Sequence, residues 1–277
     1  MRQLVCILVI ALVCTLPLAL IISRSRVLDD IYSQTNTHPP SPSEFTKTPS
    51  SASNILSSLR DLALSSPPHV VAFGEIGLDY DRLSHCDAET QRKYFKAQLE
   101  IAVEVPLPLF LHSRAAHKDF LGILGEYEDR LPKRGVVHSF TGTREEMLEL
   151  VDHGWDVGVN GCSLKTLENC EVVKDIPLER LQLETDGPWC EIRPSHAGSA
   201  FAKEKGFRET EAEGGRGWKW VKKEKWIEGA LIKGRNEPCL IEKVAWAVAG
   251  IKGVGVEEVV EAAWENGVRM FGVGERG

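Results

Sequence analysis

From residue 69 onward the chain alternates short apolar runs with amphipathic stretches of helical length, and this alternation constrains the fold more than any other feature. His69–Phe73 is an apolar run that leads into Gly-Glu-Ile-Gly-Leu-Asp-Tyr-Asp. Asp87–Val105 carries apolar residues at helical spacing (94, 95, 99, 101, 102 and 105), Leu107–Leu111 is a second apolar run, and Ala115–Leu124 is a second helix. Gly135–Val137 leads to His138, and Thr143–His153 predicts a helix opened by a Thr143/Glu146 capping box and closed by Gly154. Trp155–Val159 and Leu181–Leu183 predict further strands, and Pro238–Ala249 and Val256–Met270 predict two closing helices. Short apolar strands separated by helices imply βαβ units and a parallel sheet, so the fold class is α/β. No Gly-x-Gly-x-x-Gly turn follows any of these strands, which argues against a dinucleotide ligand.

The polar residues that follow the strands are Glu75, His112, His138 and Asp186. A histidine at one strand end is usually a hydrogen-bonded structural residue, and an isolated Asp in Thr-Asp-Gly-Pro is usually a turn former. Four potential ligands on four strand ends are a different matter. In a closed barrel all strand C-termini meet on one face, so these side chains can converge despite their separation along the chain. Two imidazoles and two carboxylates suit Mg²⁺, Mn²⁺ or Zn²⁺. Such a cation activates water and polarises a phosphoryl or carbonyl oxygen, with a carboxylate such as Asp186 as proton acceptor, so the expected chemistry is hydrolysis. Ser113 and Ser139 each adjoin a histidine, but neighbours along a strand point to opposite faces and do not make a nucleophile–base pair.

Several longer stretches resemble the TatD family of metal-dependent deoxyribonucleases in its eukaryotic form: AFGEIGLDYDR (72–82), QRKYFKAQLEIA (91–102), PLFLHSRAAHKDFLGIL (108–124), VVHSFTG (136–142), LETDGPWC (183–190) with SHAGS (195–199), and GRNEPC (234–239). The resemblance covers about residues 70–275, in the family's order. It implies a TIM-barrel-like fold, a DNA substrate and phosphodiester hydrolysis dependent on divalent metal, Mg²⁺ foremost, with two metal positions. Carried over by motif, Glu75 corresponds to a ligand shared by both metals, His112 and His138 to ligands of the second, and Asp186 to a ligand of the first and the proton acceptor. The family's opening His-x-His pair is absent from this sequence, whose first histidine is His38. The expectation is therefore a barrel lacking its first two strands, with two unpaired parallel edges, one incomplete metal position and weak or absent activity. A membrane-tethered remnant without catalysis, and a hydrolase of small amides or esters in the same barrel class, are the competing readings.

The sequence before the alternation is of another kind. Leu4–Ile22 holds 19 residues without a charge, about 28 Å as a helix, which is close to a hydrocarbon core of about 30 Å. It reads as a single-pass membrane anchor, with a signal peptide or a mis-started segment as alternatives, whereas the family resemblance implies an intracellular enzyme. The domain organisation expected is an apolar segment over residues 1–26, a Ser/Pro-rich linker over 27–68 with a short helix at Asn54–Leu64, and the hydrolase domain over 69–277. Hydrophobic residues make up 43% of the chain, which excludes a disordered polymer, and seven scattered cysteines without a Cys-x-x-Cys spacing point to reduced thiols.

The formal charge of −7 is unevenly spread. Residues 201–235 contain ten Lys/Arg and six Glu, a net +4, which leaves −11 on the rest. This tract follows the strand ending near Asp186 and is expected on the same face as the ligands, where Lys219, Lys222, Lys223, Lys225 and Arg235 would hold phosphates. Trp218, Trp220 and Trp226 interleave with these lysines and could stack bases, or could simply anchor a solvated loop.

Overall fold

Each apolar run from residue 70 onward becomes a strand because its side chains have apolar neighbours to meet. The computed structural model describes residues 20–22, 49–65, 70–207 and 219–272. Strand β1 is Leu20–Ile22, helix α1 Pro49–Ser65, β2 Val70–Asp79, α2 Ala88–Glu104, β3 Leu109–Arg114, α3 His117–Gly125, β4 Gly135–Val137, α4 Arg144–Asp152, β5 Asp156–Val159, α5 Leu167–Asp175 and β6 Leu181–Leu183. Then come α6 Ala197–Lys205, β7 Lys219–Val221, β8 Ala230–Ile232, α7 Ile241–Lys252 and α8 Val256–Phe271. The main sheet runs in the order β1-β2-β3-β4-β5-β6, with β2 to β6 mutually parallel. Sequential parallel strands joined by helices make this an α/β fold of TIM-barrel-like type.

The helices cover one face of the sheet. Leu78, Leu109, Leu111, Val157 and Leu181 pack with Phe95, Leu99, Phe120, Met147, Leu150, Val173 and Val248 in one continuous core. Burying each large side chain contributes roughly 1.5–3 kcal/mol before conformational entropy is subtracted. On the opposite face a smaller cluster of Ala72, Phe110 and Val136 is capped by Met270 and Phe271. The capping box at Thr143 forms as its sequence predicts, with Glu146 N–H donating to Thr143 Oγ1 and Thr143 N–H to Glu146 Oε2.

The sheet edges differ from expectation. Leu20–Ile22, the last three residues of the predicted membrane span, form an antiparallel strand on β2. A membrane helix through this point is thus corrected, since the apolar triplet satisfies a row of sheet hydrogen bonds that would otherwise stay open. Residues 4–19 lie outside the described residues, and no helix among the described residues is long and apolar enough to cross a membrane. The other edge is capped by a side chain: Asn266 on α8 donates Nδ2–H to Leu181 O at 2.8 Å and to Leu178 O at 2.7 Å. The helix expected at Asn54–Leu64 runs from Pro49 to Ser65, with Leu56, Leu59 and Ala63 packed against the main core and Arg60 paired to Glu104 of α2.

A donor trio at the strand ends

Glu75 is not beyond its strand but inside it. β2 continues to Asp79, and the β2–β3 register slips between Gly74 and Ile76, so Glu75 is the residue left out of the ladder. A bulge of this kind re-aims a side chain that regular pairing would hold in the sheet. The glycines on either side permit it. A Cβ on Gly77 would lie 1.9 Å from His112 O, so only glycine lets β2 approach β3 this closely.

β3 carries His112 opposite Gly77, and His138 directly follows β4, its backbone N–H donating to Leu111 O at 2.8 Å. Phe110 backs the His138 ring, with centroids 4.8 Å apart. Three atoms from three strands then meet. Glu75 Oε1 lies 2.8 Å from His138 Nε2 and 2.9 Å from His112 Nδ1, and the two nitrogens are 3.0 Å apart. A small divalent cation with bonds of about 2.1 Å separates neighbouring donors by roughly 3.0–3.4 Å, so this trio has the spacing of one face of a metal polyhedron.

The distal ring nitrogens are fixed from behind. His138 Nδ1 lies 3.5 Å from Glu184 Oε2, and His112 Nε2 lies 3.7 Å from Asp79 Oδ2. Neither nitrogen has a hydrogen-bond partner at normal range, yet each faces a carboxylate. A proton on each distal nitrogen leaves the lone pairs of His138 Nε2 and His112 Nδ1 pointing at the shared centre, the tautomers a cation needs. Glu184 is itself held by the Ser139 backbone N–H, and Asp79 by the Arg114 guanidinium. With chemistry and geometry both suited to a metal, the residues present fit the group.

Electrostatics follow from the same contacts. Burial would raise Glu75, but the charge of His138 and hydrogen bonds from both histidines override it and hold the carboxyl well below its ordinary range. Burial would lower His138 and His112, but the facing carboxylates, Glu75 and Glu184 for His138 and Asp79 and Glu75 for His112, lift both above the usual imidazole value. The trio therefore binds protons when no cation competes.

Asp186 is not part of the trio, whose donor atoms alone among the described residues form such a cluster. It lies near enough for its ionisation to respond to His138, Glu184 and Glu75, and burial pushes its carboxyl up to about 6. Its backbone sits at φ 52°, and Ala115, Ser139 and Cys190 also have positive φ (53°, 51° and 52°). Four non-glycine residues in this costly region, all just past strand ends or in the Asp186 turn, mark the face where the chain stores strain. Cys190 Sγ donates to Asp186 Oδ2 at 3.2 Å.

The basic tract is tied to this face. Asn236 donates Nδ2–H to Thr185 O at 2.6 Å, and its N–H to Pro188 O at 2.9 Å, linking the segment after β8 to the Asp186 turn. Lys219, Lys222, Lys223, Lys225 and Arg235 are all exposed. β7 and β8, which sequence patterning did not predict, form a small parallel pair beneath them. Trp226 anchors its Nε1–H on Ala230 O at 3.0 Å and leaves its ring half exposed; Trp218 lies outside the described residues. Sequence reasoning missed Glu184 and Asp79, the carboxylates behind the histidines. Glu184 stands two residues from Asp186 at a strand end, a spacing that places both on one side of an extended chain.

Comparison with known proteins agrees with this geometry. Deoxyribonuclease Tat-D of Schizosaccharomyces pombe is 54% identical over 202 residues, covering 73% of this chain and 62% of that protein. Deoxyribonuclease Tat-D of Saccharomyces cerevisiae is 38% identical over 266 residues, covering 81% of this chain and 63% of that protein. The chain thus spans just under two thirds of the length of these curated relatives. Among solved structures, an uncharacterised amidohydrolase from Saccharomyces cerevisiae matches with a TM-score of 0.73 at 34% identity, over 87% of this chain and 76% of that one. A TatD-family hydrolase from Entamoeba histolytica matches with a TM-score of 0.72 at 32% identity, over 89% of this chain and 79% of that one. The family model described as TatD related DNase matches residues 19–272, a stretch that holds every strand carrying the donor trio, and the chain belongs to that family.

Proposed function

We propose that this chain hydrolyses phosphodiester bonds of DNA with the help of a divalent cation, Mg²⁺ foremost, held by Glu75, His112 and His138. The observation that carries this reading is the meeting of three donor atoms within 2.8–3.0 Å of one another, with carboxylates behind both rings. When bound there, the cation supplies Lewis acidity toward a phosphoryl oxygen and an acidified water. The chain's own groups do the rest. Glu184 and Asp79 keep the proton of each histidine on its far nitrogen. Asp186, brought to about 6 by burial, is a carboxylate poised near neutral pH to take up a proton as the water attacks, and the Cys190 hydrogen bond orients it. Lys219, Lys222, Lys223, Lys225 and Arg235 hold the phosphates of the strand, and the exposed Trp189 and Trp226 offer faces for bases. The names of the relatives, deoxyribonucleases in two yeasts and a 3'-5' ssDNA/RNA exonuclease in Citrobacter koseri, support a nucleic-acid substrate.

The test is cleavage of end-labelled single-stranded DNA in Mg²⁺ or Mn²⁺, with small esters and amides as parallel substrates. Cleavage of DNA that stops with chelator and is lost in Glu75→Gln and His138→Ala supports the proposal. Turnover of the small esters alone, or DNA cleavage unchanged by either substitution, overturns it.

A further inference from the structure

A cleft of about 510 Å³ opens beside the trio, lined by residues that the metal chemistry does not use. Ser113 and Arg114 enter it directly after His112, Phe140 and Thr141 shortly after His138, and α5 adds Asn169 and Val172. The volume falls within the roughly 300–1,000 Å³ that small-molecule sites occupy. The walls are held by partners within the chain. Arg114 is clamped on Asp79, with Nε donating to Oδ1 at 2.9 Å and Nη2 to Oδ2. Glu146 Oε2 accepts Thr143 N–H at 2.8 Å, and Arg144 is paired to Asp175. Gly142 lets the loop between β4 and α4 lie close on its neighbours: an added Cβ would fall 2.7 Å from the Phe140 ring and 2.3 Å from Glu146 Oε2.

We propose that this cleft seats the base and sugar of the nucleotide next to the bond being cut, and that it takes any of the four bases. The inference rests on the nuclease reading above and deepens it. A nucleobase is a flat ring with polar edges, and it stacks on guanidinium planes and apolar surface while its edges take hydrogen bonds. The cleft offers each of these: the Arg114 guanidinium, the apolar side chains of Phe140 and Val172, and the hydroxyls of Ser113 and Thr141. Because Arg114 is already ion-paired, its plane is set before a base arrives and little side-chain freedom is lost on binding.

The tolerance for sequence follows from the same lining. Hydroxyls both donate and accept, so Ser113 and Thr141 suit any base edge. Asn169 is the amide suited to reading adenine with both of its polar atoms, but its Oδ1 is engaged by the Thr166 N–H and hydroxyl at 3.4 and 3.2 Å. The cleft therefore distinguishes a nucleotide with a base from one without, and the exposed lysines after β7 hold phosphates of the strand outside it.

The experiment irradiates the full chain with 8-azido-2'-deoxyadenosine 5'-monophosphate in Mn²⁺ and maps the labelled peptides. The expected result is label on the peptides that contain residues 113–117, 140–144 or 168–172. An excess of each of the four unmodified deoxynucleoside monophosphates should suppress it equally, and deoxyribose 5-phosphate should not. Thr141→Trp, at an exposed position of the lining, and Val172→Trp, on α5, each put an indole into the cleft from a different wall. Each should cut the labelling about tenfold, the loss expected when a base gives up its stacking, while the variant still binds Mn²⁺. On single-stranded DNA the same substitutions should raise KM and leave kcat nearly unchanged. Label confined to residues 219–235, suppression by deoxyribose 5-phosphate, or labelling as strong or stronger in both folded variants overturns the proposal. A chain that labels in the cleft but cleaves no DNA defeats the nuclease reading alone, and one that cleaves DNA without labelling there defeats this inference alone.

Discussion

Glu184 stands behind His138 with one oxygen on each of two neighbours: Oε2 lies 3.5 Å from His138 Nδ1, and Oε1 accepts the Ser139 backbone N–H. A single buried carboxylate thereby fixes both the tautomer of the ring and the strained backbone that follows it. Glu184→Ala is expected to weaken Mn²⁺ binding about 10–100-fold, the usual effect of losing a group behind a metal-ligating histidine. Glu184→Gln, whose amide oxygen can still accept from Nδ1–H, should lose less. Calorimetric titration of the folded variants checks both, and equal affinity in Glu184→Ala and the parent would remove Glu184 from the site.

Metal binding should be strongly pH dependent. The carboxylates around the trio lift both histidines above their ordinary value, so protons compete with a cation for the same nitrogens more strongly than on a free imidazole. Affinity is therefore expected to rise with pH, by about one decade per pH unit for each proton released. Titrations in buffers of different ionisation enthalpy count those protons. Affinity that stays flat between slightly acid and slightly alkaline pH would contradict the ion-paired trio.

Asp79 links the site to acid stability. Burial would raise its carboxyl, but the facing His112 and the Arg114 guanidinium bring it down from 3.8 to about 2. A carboxyl depressed in the folded state adds stability above its unfolded value, and that stability is lost as pH falls through the folded value. The side chain is 19% exposed, so after solvent screening the contribution is roughly 1 kcal/mol at neutral pH. Asp79→Asn should be less stable than the parent by that amount at neutral pH, with the gap closing between about pH 4 and 2. Urea unfolding across this range measures it.

How much of this was legible in the sequence depended on what each residue competes with. His112 and His138 stood out because an apolar run that ends in histidine leaves the ring no core to enter. Glu75 was found at nearly the right place for a partly wrong reason: it is a bulged residue within β2, and bulges leave no mark in alternation. Leu20–Ile22 was read as the end of a membrane span because a short apolar run is equally compatible with strand and helix, and only a partner strand decides. Glu184 and Asp79 were passed over because their role is visible only when the rings they face are in place. The helix expected at Asn54–Leu64 begins five residues earlier, at Pro49, because proline is tolerated in the first turn, where a missing N–H costs nothing.

Far from the site, Asp156 at the start of β5 tests the other end of the sheet. It is 1% exposed and accepts from Gln182 at 3.0 Å, Arg180 at 3.3 Å and Arg269 at 3.0 Å. Removing one partner of a buried charged network costs about 3–5 kcal/mol when the remaining charges stay buried. Here both arginines reach solvent, so Asp156→Ala should cost about 2–3 kcal/mol, or a Tm lower by roughly 5–10 °C, with metal affinity unchanged. A loss of metal binding in a variant that still folds would show that the two ends of the strands are coupled.

The last expectation contrasts two glycines. Gly77 faces His112 in register, at φ 149°, and an added Cβ would fall 1.9 Å from His112 O. Backbone cannot move aside as a flexible side chain can, so Gly77→Ala must pry β2 from β3 and shift His112 off the trio. Metal binding should disappear, and the soluble yield should drop with it. Gly122 in α3 is the counterpart: nothing lies within 4 Å of its added Cβ, and its φ is helical. Gly122→Ala should stabilise the chain by about 0.5–1 kcal/mol, because alanine loses less backbone entropy in a helix, and should leave the trio's metal affinity alone. Thermal melts with and without Mn²⁺ read both effects, since a bound cation raises the Tm of any variant whose trio is intact. A Gly77→Ala chain that keeps the Mn²⁺ shift would mean that the close approach of β2 and β3 does not set the position of His112.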